Sequence, residues 1–400
     1  MTTTRSRQAG NGHGIILLLS AVMPIMAVTS LIPVLPQLMC EFADVPGASA
    51  LVPIALTVPA LCVALFSPLA GWLSDKLGRK RLLVTALTTY ALFGFLPWFL
   101  EDLGSIIVSR VLLGIVEAII MTVATALIGD YYEGERRERW IAIQVAVSSV
   151  AATVLLAVGG LLGEAFGSRG PFLLYLSSLG VAVAAAFILH EPARQARTEQ
   201  VVAGQRGALM TVLPLALITL GVGFAFYTIF VQIGPFLEFT GSVTPTMVGL
   251  AGAIVNLGVV AGSVAFKRMS GKGGPRLLAI GLTITAAGYA GVALSTSFVG
   301  ITAFATLACL GSGITLPNML TWTMRSLPPA VRGRGLGIWT GSFFLGQFVA
   351  PLLVGALALQ MGGFSIVLGL LAAIIALSAL VTALTFRRSS GRRVDTFGGN

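Results

Sequence analysis

Two ionisable residues stand inside one long apolar run, SRVLLGIVEAIIMTVATALIGD (109–130): Arg110 and Glu117. A charge near the centre of a bilayer costs on the order of 2.5 to 3.5 kcal/mol even on lenient scales, so a retained acid there points to chemistry. Seven residues at about 100° each return the two side chains to nearly one helical face, roughly 10 Å apart along the axis. Desolvation favours the protonated carboxyl and a nearby guanidinium the ionised one, so Glu117 can load and release a proton as its surroundings change. Arg110 can tune that acid or meet an anionic solute. A static ion pair is the other reading of the same residues.

A second concentration of charge is GWLSDKLGRKRLL (71–83), with one acid and four bases in a chain that is 10% charged overall. Gly71 allows two helices to approach closely, Gly78 permits a positive φ in a tight turn, and Asp75 can cap a helix or pair with neighbouring cations. Elsewhere the polar groups inside apolar runs are Thr29, Gln232, Asn256, Asn318 and Gln347, each able to bond across helices or to touch a solute. Aromatics gather in FAFYTIF (224–230), holding Phe226, Tyr227 and Phe230, and in WTGSFFLGQF (339–348); both can line a greasy cavity or pack against lipid. Cys40, Cys62 and Cys309 have no paired or ligand-like spacing and read as apolar packing residues. His13 and His190 resemble neither a metal ligand nor a proton relay. No phosphate loop, HExxH motif or nucleophile elbow occurs, which sets ATP-driven transport and hydrolysis aside.

These residues must be held by membrane-spanning helices. The chain is 400 residues, 56% hydrophobic, with a mean hydropathy of +0.94, far from the roughly 25% charged residues of soluble domains. Its apolar runs are continuous, not alternating, which selects helices over a barrel. Twelve runs of about 20 residues or more are legible, starting near 15 and ending near 386. The first, behind Arg5 and Arg7, is too long for a signal core and is read as a retained helix. With twelve spans both termini share one side, and that side collects 23 of the 25 Lys and Arg, leaving Arg110 and Arg169. The positive-inside rule makes it cytoplasmic, with a C-terminal tail after residue 386. Anionic headgroups account for the net charge of +10 better than nucleic acid does. Residues 191–207 are the longest polar interruption and divide the chain into six-helix bundles at 1–190 and 208–400. Arg81-Leu-Leu and Arg276-Leu-Leu, like Arg139 and Arg334, are separated by the same 195 residues, which argues for a duplicated half.

The 71–83 stretch resembles the signature loop of the major facilitator superfamily, G-x-L-x-D-x-x-G-R-K/R, with Gly71, Leu73, Asp75, Gly78, Arg79 and Lys80 in place. Span count, central loop and half-repeat extend the resemblance over the whole chain. It implies an all-α integral membrane fold of two six-helix bundles around a central substrate site. It also implies that Asp75 and Arg79 join an acid at the end of the fourth span, here Asp130, in a cytoplasmic latch between the halves. The second copy has Phe266 where Asp75 stands, so the N-terminal half carries more of that latch. The Arg110-to-Gly114 segment is similar to the family's proton-coupling motif R-x-x-Q-G, with Leu113 in place of Gln. The fifth span has Leu155-Leu156 where exporters carry Gly-Pro.

The resemblance is to bacterial twelve-helix drug and metabolite exporters. It implies a secondary transporter, not an enzyme, that moves a small amphipathic solute outward across the cytoplasmic membrane by proton antiport and alternating access. Expected partners are that small molecule, protons and membrane lipids; no nucleic acid, metal or cofactor is expected beyond the proton gradient, and the chain is expected to be monomeric. The site is expected at Glu117 and Arg110 for coupling, at Gly71, Asp75, Gly78, Arg79 and Asp130 for the latch, and at Thr29, Phe226, Tyr227, Phe230, Asn256 and Gln347 for the cavity. Uptake or facilitated passage of a sugar or organic anion, with Arg110 as its ligand, is the alternative; a non-transporting receptor has no soluble domain to support it.

Overall fold

The computed structural model describes residues 10–192, 212–327 and 332–394, and among them the regular structure is helical, with no strand. The central polar segment expected at 191–207 lies mostly outside the described residues. Eleven helical segments are long and apolar enough to cross a membrane. The longest of them, Gly134–Ile188, is 55 residues, about 80 Å of helix against a ~30 Å hydrocarbon layer. It breaks at Gly167, which adopts φ +70°. The chain then doubles back, for Gly170 lies against the backbone of Leu162 and Gly163. Two crossings are therefore hidden in one apolar run, and the spans among the described residues number twelve.

The first span is Asn11–Thr29 continued by a 3₁₀ turn at Ile32–Val34 and a short helix at Leu35–Glu41. Pro33 and Pro36 sit where the helix breaks, as residues lacking an N–H and fixed in φ should. The second is Ala48–Leu77, the third Arg79–Phe95, the fourth Leu103–Tyr131 and the fifth Gly134–Phe166. The sixth joins the 3₁₀ run Gly167–Leu176 to Ser177–Ile188. Beyond the central segment come Leu213–Val231 with Ile233–Glu238, then Pro245–Met269, Gly274–Leu294, Phe298–Ser326, Arg332–Met361 and Phe364–Val394. The last helix runs eight residues past the expected start of the tail, because the basic 387–393 stretch contains no helix breaker but one glycine.

Three spans that start on the face opposite the termini are capped at the water boundary. Asp102 accepts from the Ser105 N–H at 2.7 Å, Thr244 from Met247 at 3.3 Å and Ser297 from Gly300 at 3.1 Å. Outward-facing Leu65, Phe187, Leu294 and Val299 leave an apolar belt that only lipid can cover.

Between the halves, the second span packs on the eleventh and the eighth on the fifth. A six-span shift exchanges these two seams, the pattern a duplicated unit produces. The turns repeat as well: Gly78 and Gly273, again 195 residues apart, hold φ +89° and +84°. Away from the termini the seam is closed backbone to backbone, since a Cβ on Gly160 would meet the Pro245 carbonyl oxygen at 2.6 Å and one on Gly249 would meet that of Leu156 at 2.5 Å.

Candidate functional site

At the basic face, the turn at Gly78 starts the third span and leaves its first N–H groups without intrahelical acceptors. Glu191, just past the sixth span, supplies them: its carboxylate accepts from the main-chain N–H of Arg79 and, at 3.0 Å, of Lys80. Arg79 forms an ion pair with Asp130 and reaches the Ala126 carbonyl at 3.4 Å. The charge cluster thus ties the second-to-third turn to spans four and six of the same half. Gly71 does not mark a close approach, since a Cβ there would meet the Thr122 methyl at an ordinary 3.8 Å. The side chain of Asp75 lies outside the described residues. Sequence reasoning missed Glu191, whose signal was its place next to the start of the central loop. It also missed the meeting of the chain's two histidines, His13 Nε2 and His190 Nδ1, at 3.1 Å.

Deeper in the same half, Arg110 is completely buried. Its Nε donates to the Ala55 carbonyl at 3.2 Å, one terminal nitrogen to the Tyr175 hydroxyl at 2.8 Å, and the other to the Ala27 carbonyl. Tyr175 also donates to Ala27 at 3.2 Å and lies under the guanidinium, 5.5 Å from its ring centroid. Every guanidinium nitrogen is therefore engaged, binding spans one, two, four and six together. Tyr175 carried no periodic or motif signal that would have revealed this role.

Glu117 is 2% exposed, and its Oε2 has no hydrogen-bond partner. No ion pair joins it to Arg110 within 4.0 Å, although the two are in electrostatic range. Across the seam, the seventh span carries Tyr227. Tyr227 lies 5.4 Å from Phe343 of the eleventh span, ring to ring. Phe226 stacks on Phe230 at 5.1 Å and on Phe343 at 6.4 Å, and Phe343 stacks on Trp339 at 5.8 Å. The two aromatic stretches thus form one shelf between the seventh and eleventh spans.

The remaining expected cavity residues divide. Thr29 donates to its own helix, to the Ile25 carbonyl at 2.7 Å. Asn256 donates to the Ser149 carbonyl at 3.0 Å and to the Thr153 hydroxyl at 2.9 Å, so its amide is spent closing the eighth span onto the fifth. Asn318 likewise donates to Gly274 at 2.8 Å. Gln347 is 2% exposed and its Oε1 has no partner, the same condition as Glu117.

The helical architecture agrees with the family that the sequence matches. The Major Facilitator Superfamily model matches residues 17–241 and 215–397. The chain belongs to that superfamily. Among curated relatives, the Streptococcus pneumoniae multi-drug resistance efflux pump PmrA is 27% identical over 84% of this chain and 86% of its own length. A class H tetracycline resistance protein of Pasteurella multocida is 31% identical, over 38% of this chain and 37% of that protein. Among solved structures, a bacterial homologue of the human lysosomal transporter Spinster, in an inward-facing and occupied conformation, superposes with a TM-score of 0.75 at 17% identity, covering 93% of this chain and 97% of that one.

Proposed function

We propose that this superfamily transporter exports a small amphipathic solute in exchange for protons, alternating access to a central cavity between its two six-helix halves. One observation carries the coupling role: Glu117 is the acid buried among the described residues, and it has an oxygen that no protein group bonds. A permanently charged, unpaired carboxylate is costly at that depth, so the group is suited to exchanging a proton for a solute. Arg110, saturated by carbonyls and Tyr175, holds the fourth span in place beside it. The names of the relatives, multidrug and tetracycline resistance proteins, support export of drug-like compounds. The positive-inside rule supports a cytoplasmic basic face and termini, and the close seam at Gly160 and Gly249 supports access from that side. Arg79 and Asp130, paired within the N-terminal half, are read as that half's part of a cytoplasmic latch.

Uptake of an anion held by Arg110 is the weaker reading, because each nitrogen of that guanidinium is already occupied. The test is internal pH in proteoliposomes of purified protein under an imposed gradient, while cationic, neutral and anionic solutes are added. Solute-triggered proton movement that is lost in Glu117→Gln supports antiport. Full gradient-dependent transport by Glu117→Gln removes it.

A further inference from the structure

The two histidines of this chain, 177 residues apart in sequence, meet at the basic end of the N-terminal half. His13 stands in the first turn of the first span and His190 just past the end of the sixth. Their facing nitrogens, Nε2 of His13 and Nδ1 of His190, are 3.1 Å apart, and the rings cross at 76° with centroids 5.0 Å apart. Both side chains are half-buried, so protons reach them. Tyr131, at the end of the fourth span, holds the pair in place. Its ring lies 5.3 Å from that of His13 and 4.7 Å from that of His190. Its hydroxyl donates to the His190 carbonyl and accepts from the His190 N–H at 3.2 Å. One residue on, the Tyr132 hydroxyl donates to the Gly10 carbonyl at 2.8 Å. Trp140 of the fifth span covers Gly14 so closely that a Cβ there would meet the indole at 2.4 Å. The start of the first span is thus seated against spans four, five and six. Phenols titrate near 10, so near neutral pH the imidazole pair is the contact in that seat that a proton changes.

Two imidazoles share a hydrogen bond only while one of the facing nitrogens keeps its lone pair. The neutral pair meets that condition, and so does the pair with one added proton. With two, both facing nitrogens carry hydrogen and two positive charges repel each other across the contact. The neighbouring acids are already engaged: Asp130 pairs with Arg79, and Glu191 accepts from the Arg79 and Lys80 main-chain N–H groups. From the fifth span Arg136 lies over the Tyr132 ring at 5.6 Å and the Arg137 guanidinium lies beside Gly129, adding positive charge to the same end. We propose that His13 and His190 form a proton-sensitive clasp, which holds the start of the first span to the end of the sixth and releases it when both rings are charged. The clasp is closed above the pH of the second protonation and is lost as pH falls through it. It needs neither a solute nor antiport, so it stands or falls apart from the export reading.

The test uses full-length protein without a histidine tag, in lipid nanodiscs with EDTA. With nitrogen-labelled histidine, His13 and His190 are the whole imidazole spectrum and are titrated from about pH 8 to about pH 5. Nitroxides on cysteines replacing the exposed Asn11 and Ile188 report their separation through dipolar broadening, with the exposed Cys40 changed to serine. Two protonation steps at least about one pH unit apart are expected, and the broadening should disappear through the lower step. In His13→Phe and in His190→Phe, each keeping an aromatic ring against Tyr131, the remaining histidine should titrate in one step and the broadening should not follow pH. Independent one-step titration of both native rings, or broadening unchanged through the lower step, would overturn the clasp. Broadening that still follows pH in both phenylalanine variants would overturn it too, by placing the sensor elsewhere.

Discussion

Arg110 and the acceptors Glu117, Gln232 and Gln347 lie in the same apolar interior, yet their polar atoms are in opposite states. Around Arg110 each nitrogen has found a carbonyl or the Tyr175 hydroxyl. Oε2 of Glu117 and the Oε1 atoms of Gln232 and Gln347 remain unbonded. A buried polar group that is satisfied stabilises one arrangement, whereas an unsatisfied one raises the energy of the empty protein and rewards whatever ligand completes it. The contrast is between a hydrogen-bonded charge and an acid with an unbonded oxygen, seven residues apart on a single helix.

The comparison breaks most visibly at Arg110. Arg110→Met should destabilise the protein by about 3 kcal/mol or more, since it strands carbonyls and a hydroxyl in an apolar core, and Arg110→Lys should rescue little because one ammonium cannot reproduce the fork. A thermal-unfolding midpoint unchanged in Arg110→Met would show that the closed network is not structural. Glu117→Gln should do the reverse, abolishing proton-coupled transport while shifting stability by less than about 1 kcal/mol, because no protein hydrogen bond to Oε2 is lost. A large fall in its melting temperature would instead place Glu117 with the structural charges.

Smaller effects sharpen the boundary between the two states. Asn256→Leu removes two donations across the closed seam and should shift the balance toward opening on the face away from the termini by about 1 to 2 kcal/mol, read as labelling of a cysteine in place of the buried Val34, which lies against Gly163 of the seam. Unchanged labelling would mean that the glycine packing alone holds the seam. Asp130→Asn should cost less than about 1 kcal/mol, and less again at high salt, because its pair with Arg79 is partly exposed. The faintest effect belongs to Asp102, which caps the very span that carries Arg110 and Glu117. Hydrogen bonds from the Ser105 backbone and side chain hold its carboxyl below its ordinary value of 3.8. Its contribution is therefore present above 3.8 and is lost as pH falls through the lowered value; Asp102→Ala should flatten the acid limb of the stability profile. An unaltered acid limb would show that the cap is not used.

Much of the fold was legible because span formation is local. Apolar length, the basic residues at alternate loops and the 195-residue repeat are all read along the chain, and Gly78 showed its positive φ by residue type. The sixth span was legible as a run, while the reversal at Gly167 that separates it from the fifth needed the backbone. Gly71 misled because a small residue permits a close approach without requiring one. Of the site, Glu117 and the aromatic stretches could be named from residue type and depth. Tyr175, Glu191 and the His13–His190 contact could not, as their partners lie 65, 112 and 177 residues away in sequence.

By itself the sequence determined that this chain lives in a membrane, how many times it crosses, and which ionisable and aromatic residues lie at depth. Those properties follow from the free energy of moving each segment from water to hydrocarbon, a sum over neighbouring residues. Only the tertiary structure decided which buried polar groups are satisfied. A hydrogen bond depends on a few tenths of an ångström between helices distant in the chain, and no local sum contains that distance. Arg110 and Glu117 are alike in residue class and depth; the packing of spans one, two and six bonded one of them and left an oxygen of the other without a partner.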